Sequence, residues 1–124
     1  MPLIFTFLSL LFGLFTGLVF NNYSGAQAQA SDVERKTDIN HIYQKLEEHY
    51  NEYGEYPTVD EIVLNSEENL PGIDAEALID PNNKRLQLGD YMYSPTGCTA
   101  IGCAKYELSA KLDDGTTYVK TSLN

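Results

Sequence analysis

The chain has 124 residues, 18 acidic and 8 basic, and a formal charge of −10. This is enough sequence for one domain, and its acidity excludes nucleic acid as a predicted partner of its charged part. Every charged residue lies at or beyond Asp32, so the first 31 residues carry no charge at all.

The amino end runs Pro2 to Phe20 without a charged side chain, mostly Leu, Ile, Phe and Val. Residues 3–20 as a helix would span roughly 27 Å, close to the thickness of a bilayer core. This predicts a membrane or assembly helix over 1–30 and a single-pass protein with an extracytoplasmic head over 31–124. Gly13 and Gly17, four apart, offer a G-x-x-x-G face for close helix packing. Ala28-Gln29-Ala30 has the form of a signal-peptidase site, so two fates compete. Either the chain matures at Ser31 as a small secreted module, or the apolar segment stays.

From Ser31 the apolar positions are Ile39, Ile42, Tyr43, Leu46, Tyr50 and Tyr53, one face of a 3.6-residue helix. Glu34, Lys45, Glu48 and Glu52 lie on the other face. No proline interrupts the chain between Pro2 and Pro57, so one helix is expected to continue to Tyr53 and to stop at Gly54. His41 and His49 are not at metal-ligand spacing and are read as solvent-facing.

Residues 54–90 read as a connection with short helices. Thr58-Val59-Asp60-Glu61 is a capping box. Asp74 can cap a second short helix over 75–79, and Leu70-Pro71-Gly72 between them is a turn. Asp80, Asn82, Asn83 and Asp90 place oxygen atoms close together in the chain. They read as turn residues bonding their own backbone, or as weak cation ligands at Asp80 and Asp90. Their spacing is not that of an EF-hand loop.

Residues 91–121 read as a three-stranded antiparallel meander. Tyr91–Ser94 is the first strand. Residues 105–112 alternate, with Tyr106, Leu108, Ala110 and Leu112 on one face. Asp113-Asp114-Gly115 is a hairpin turn, and Thr117–Thr121 is the third strand, with Tyr118 or Val119 inward. Only the long helix is large enough to cover the sheet, which makes Ile39, Ile42, Tyr43, Leu46, Tyr50, Tyr53, Tyr106, Leu108 and Leu112 the predicted helix–sheet core. Cys98 and Cys103 lack both the C-x-x-C redox spacing and further metal ligands nearby, so a local disulfide that closes the loop is favoured. No nucleophile elbow, phosphate loop, H-E-x-x-H or dinucleotide fingerprint occurs, and no enzyme activity is predicted.

Two stretches resemble a known family. Phe5-Thr6-Phe7-Leu8-Ser9-Leu10-Leu11 resembles the start of mature type IV pilins and type II secretion pseudopilins, Phe-Thr-Leu-Ile-Glu-Leu-Leu. The segment from Ser31 to Pro57 is similar to the pilin-like order of a charged cluster, Asp38-Ile39, Leu46-Glu47, spaced tyrosines and Gly54-Glu55-Tyr56-Pro57. The resemblance implies an α+β pilin-like roll, one long helix packed on a small sheet. It implies a structural subunit, minor or divergent, of a pilus or pseudopilus filament. Its partners would be other pilin-like subunits and an inner-membrane assembly machinery, with the membrane contacted through residues 3–20. It implies cleavage that leaves Phe5 as the mature amino terminus. The chain departs from the pattern at Ile4, where the family has glycine, and at Ser9, where the family has glutamate. The short uncharged leader is also unlike the family's basic one, as a start codon placed too late would make it. Some major pseudopilins hold calcium in such a region, so the resemblance makes Asp80 and Asp90 the weak calcium candidates here; no other cofactor is implied. The alternative is a secreted or anchored binding module, cut after Ala30 or left uncut.

Overall fold

The computed structural model describes the backbone from Pro2 and the side chains from Gly25 to Asn124. A 52-residue helix, α1 (Pro2–Tyr53), leads into the head. Gly54 ends it. Its φ of +77° is readily reached only without a Cβ, and its N–H still donates to the Tyr50 carbonyl at 2.8 Å. The connection then forms α2 (Val59–Leu64), α3 (Ser66–Asn69) and a 3₁₀ turn, Ala75–Leu78. The capping box at α2 is made in both directions: Thr58 Oγ1 accepts from the Glu61 N–H at 3.2 Å, and the Glu61 carboxylate accepts from the Thr58 N–H at 3.3 Å. Asp74 caps the 3₁₀ turn by accepting from the Glu76 N–H. α3 is absent from the sequence expectation; its four residues, Ser-Glu-Glu-Asn, carry no apolar period.

Three antiparallel strands follow in the order β1 (Tyr91–Thr96), β2 (Lys105–Lys111), β3 (Thr117–Thr121). Tyr91 opposes Ala110 and Tyr93 opposes Leu108, while Tyr118 opposes Ala110. Period-two alternation therefore turns Tyr91, Tyr93, Tyr106, Leu108, Ala110 and Tyr118 toward α1. The molecule is α+β, with one long amino-terminal helix against a three-stranded sheet.

The core lies between α1 and the sheet. Ile39, Ile42 and Leu46 are fully buried against Tyr91, Tyr93, Tyr106, Leu108 and Ala110, and Leu112 closes one end. Each such aliphatic side chain contributes about 1.5–3 kcal/mol by leaving water. The connection adds Tyr56, Ile62, Leu70, Ile73, Ala77 and Leu86 to the same cluster. Tyr43 and Tyr50 are half-buried at its margin. Tyr53 departs from its predicted core position: it is 54% exposed, because the last turn of α1 runs past the sheet before Gly54 reverses the chain. Val119 points outward, leaving Tyr118 as the inward residue of β3.

The predicted single-pass placement is corrected. Among the described residues no helix is long and apolar enough to cross a membrane. The features expected before Gly25 lie outside the residues whose side chains are described. These are the apolar run 3–20, Phe5 and Ser9, and the pair Gly13 and Gly17.

Candidate functional site

Polar contacts concentrate at the seam between α1 and the sheet. Glu47 lies four residues past Tyr43 and three before Tyr50 on α1, so the helical period turns it toward the sheet, where it is buried. Its carboxylate accepts from the Tyr56 hydroxyl at 2.6 Å, from the Tyr106 hydroxyl at 3.1 Å and from the Leu123 N–H at 3.3 Å. The Tyr56 hydroxyl in turn accepts from the Asn124 amide at 3.2 Å, which ties the carboxyl-terminal tail to the seam. A buried carboxylate without such donors would cost several kcal/mol, on the order of 3 or more. Further along α1, Asp38 accepts from the Tyr91 hydroxyl at 2.6 Å and Asn40 from the Tyr118 hydroxyl at 2.8 Å. The Tyr93 hydroxyl donates to the Pro57 carbonyl at 2.7 Å. Four sheet tyrosines thus reach across the core with an apolar ring and a donating tip.

Burial, followed by the Glu47 carboxylate, pushes the Tyr56 hydroxyl up to about 12. Burial also raises Tyr91, Tyr93 and Tyr106, with Asp38 adding to the rise at Tyr91 and Glu47 at Tyr106. Burial raises the Asp38 carboxyl against the opposing pull of the Tyr91 hydroxyl. Each of these hydroxyls therefore stays a proton donor through neutral pH.

Arg35, 1% exposed, anchors the other end of the seam. Its guanidinium meets Asp32 at 2.8 Å, Asp113 at 3.1 Å and Asp90 at 3.4 Å, joining α1 to the β2–β3 turn and to the residue before β1. Burial opposes the charge, but these carboxylates together hold the guanidinium above its ordinary value. Asp32 also accepts from the Asp113 N–H at 2.8 Å.

The loop ahead of β1 is built on Asp80. One carboxylate oxygen accepts from the N–H groups of Asn82 and Lys84, each at 2.9 Å, and the other from the Asp90 N–H at 2.7 Å. A Cβ at Gly89 would run into that second oxygen and into Lys84, which is why the loop needs glycine there. Asp90 is held by Arg35 and by the Asn82 amide at 3.0 Å. Of the weak calcium candidates, Asp80 thus has both oxygens, and Asp90 one of its two, engaged by protein donors. Among the described residues no group of three or more His, Cys, Asp or Glu side chains is disposed to hold a metal ion. Of the two readings of this stretch, turn residues that bond their own backbone describe its geometry.

Cys98 and Cys103 are bonded. Their loop carries Ile101 at its exposed tip and is sewn to the end of α1 by paired backbone bonds between Tyr56 and Cys103, both 2.8 Å. His49, expected to face solvent, is buried instead; its Nδ1 lies 2.9 Å from the Glu55 carbonyl, and its ring rests on Tyr53. A carbonyl can only accept, so Nδ1 carries the proton. The position is three residues past Leu46 and seven past Ile42, so the helical period already placed it on the inner face. Arg35, four residues before Ile39 and seven before Ile42, and Glu47, four past Tyr43 and three before Tyr50, carry the same signal, and only their charge argued for solvent. A shallow groove of about 250 Å³ lies between α2 and the 3₁₀ turn, lined by Ile62, Val63, Leu78, Ile79, Arg85 and Leu86.

Comparison with the models of known protein families, with curated proteins and with solved structures gives no match. Function must therefore be argued from the residues and their geometry.

Proposed function

We propose that this chain is a pilin-like structural subunit, minor or divergent, of a filament of the type IV pilus or type II secretion pseudopilus kind. The observation that carries the proposal is where the head sits on α1. Among the described residues its contacts begin at Ser31 and Asp32 and end at the turn after Tyr53. The described residues just before them, Gly25–Ala30, are small or polar and largely exposed. An uncharged apolar run precedes those residues. Such a run gains free energy from contact with its like, roughly 25 cal/mol for each Å² of apolar area removed from water. Under this reading that uncharged run is the part of the chain that packs against copies of itself. The order of elements, a long helix, a connection with short helices and a three-stranded meander, supports this reading, which expects that order of a pilin-like roll.

The partners under this reading are other pilin-like subunits and the machinery that adds them. Ser9 removes the acidic side chain that the family pairs with a neighbour's amine. That fits a subunit placed at a tip or at initiation better than one repeated along the shaft.

A second reading is a small binding module released by cleavage after Ala30. One observation favours it: the Ala28-Gln29-Ala30 motif ends where the head's contacts begin. Intact mass and amino-terminal sequence of the chain recovered from its native cells separate the two. The filament reading expects a start at Phe5 and recovery of the chain with filaments sheared from cells. A start at Ser31 would sink it and leave the released module.

A further inference from the structure

The charge of the head is divided between two opposite edges of the sheet. The connection 54–90 holds nine acidic and two basic side chains, whereas residues 91–124 hold three of each. The connection closes the β1 edge: the Gln87 side chain donates to the Tyr93 carbonyl at 2.6 Å and accepts from the Tyr93 N–H at 2.8 Å, and α2 packs beside β1. On its exposed surface this edge presents Asp60, Glu67 and Glu68. The β3 edge is paired on one side only. There two ammonium groups converge on one ring: Lys36 from α1 and Lys120 from β3 lie 5.9 and 5.7 Å from the centre of Tyr118, and Lys120 lies 5.4 Å from that of Tyr43. Among the described residues neither lysine has a carboxylate within ion-pair distance. Asp114, whose carboxyl is held below its ordinary value first by Thr116 and least by Lys36, already accepts from the N–H and hydroxyl of Thr116.

A basic ridge on one edge and an acidic surface on the opposite edge of the same rigid sheet cannot meet within one molecule. They can meet between two. We infer that the Lys36–Lys120 ridge, over the rings of Tyr43 and Tyr118, docks the acidic α2–α3 surface of a second copy of this chain. The contact is heterologous, since one patch faces a different patch, and each copy keeps a free donor edge and a free acceptor edge. Association of this kind extends into an open filament or closes into a ring according to the rotation between successive copies, and the filament reading expects the open form. The flat tyrosine rings hold the lysines in place beforehand, which lowers the entropy lost on docking. The inference deepens the filament reading and rests on it only for the setting; the contact itself stands on the charge of the head.

The test uses the full chain, mixed from isotope-labelled and unlabelled preparations at low salt and treated with a zero-length carbodiimide cross-linker. Peptides joining Lys36 or Lys120 of one isotope to Asp60, Glu67 or Glu68 of the other are expected. Their yield is expected to fall with added salt. Lys36→Glu/Lys120→Glu removes the reactive amines and with them these links, and mixing that variant with Glu67→Lys/Glu68→Lys is expected to restore mixed-isotope links between the same pairs of positions with amine and carboxylate exchanged. Circular dichroism of each variant establishes that it folds. Absence of mixed-isotope links at these residues, or no recovery in the charge-swapped mixture of folded variants, would overturn the inference. Links obtained from a chain that proves to start at Ser31 would keep the docking and remove the filament. A chain recovered in sheared filaments without these links would do the reverse.

Discussion

Two buried carboxylates show how differently this head is held in its two halves. Glu47 and Asp80 are 8% and 3% exposed, and each accepts three hydrogen bonds. The partners of Glu47 lie 9, 59 and 76 residues away, and two of the three are side-chain hydroxyls. Those of Asp80 lie 2, 4 and 10 residues away, and all are backbone N–H groups. Glu47 therefore exists as a satisfied group only when helix, sheet and tail are assembled. Asp80 shapes its own loop. The seam is a tertiary device, and the loop is a local one set down beside it.

The comparison would break most visibly in alkali. Tyr56 keeps its proton in the native state to about 12, against an ordinary value of 10.0. Between those values the unfolded chain has released a proton that the native chain still binds, so stability falls as pH rises through the window. Tyr91, Tyr93 and Tyr106 shift in the same direction and add to the loss. Cooperative alkaline unfolding is expected, with these tyrosines ionising together as the fold is lost. Tyrosinate absorbance that titrates near the ordinary value while the circular dichroism is unchanged would show that the seam is open to water.

Glu47→Ala is expected to cost about 3–5 kcal/mol in urea unfolding, since it leaves the Tyr56 and Tyr106 hydroxyls buried without their acceptor. Arg35→Met leaves Asp32, Asp90 and Asp113 facing one another without their cation. The expected cost is about 2–3 kcal/mol, moderated because Asp113 is partly open to solvent, and it should shrink in high salt. Asp80→Ala is expected to cost about 2 kcal/mol. Its mark is local: amide exchange at Asn82, Lys84 and Asp90 should quicken well before that at Tyr93 or Leu108. Uniform acceleration over the whole sheet would erase the distinction between seam and loop. Reduction of Cys98–Cys103 is the smallest step, about 2 kcal/mol at most for so short a loop, with the chemical-shift changes confined to residues 97–104 and to Glu55 and Tyr56 beside them.

The chain's own pattern announced a good deal of this fold. The 3.6-residue period from Ile39 to Leu46, the proline-free run to Pro57 and the alternation from Lys105 to Leu112 each express a local geometry. Local geometry is what neighbouring side chains dictate. The capping boundaries at Thr58 and Asp74 and the strand Thr117–Thr121 belong to the same class, as does the loop-closing cysteine pair. The period also marked His49 as inward, although its polarity argued for solvent. It overreached at Tyr53, because periodicity describes which way a residue points and not how far the covering sheet extends.

Assembly alone decided the rest. That Arg35 would be buried among Asp32, Asp90 and Asp113 depends on three chain segments meeting at one point. That Glu47 would be an interior acceptor depends on tyrosines from the connection and from β2 reaching it together. Composition showed an excess of acid but not its place. The separation of an acidic β1 edge from a basic β3 edge appears only once the strand order β1-β2-β3 sets the connection and Lys120 on opposite sides. Backbone preferences act over a few residues and can be read along the chain, whereas the satisfaction of a buried charge is a contract among distant segments and is written only in three dimensions.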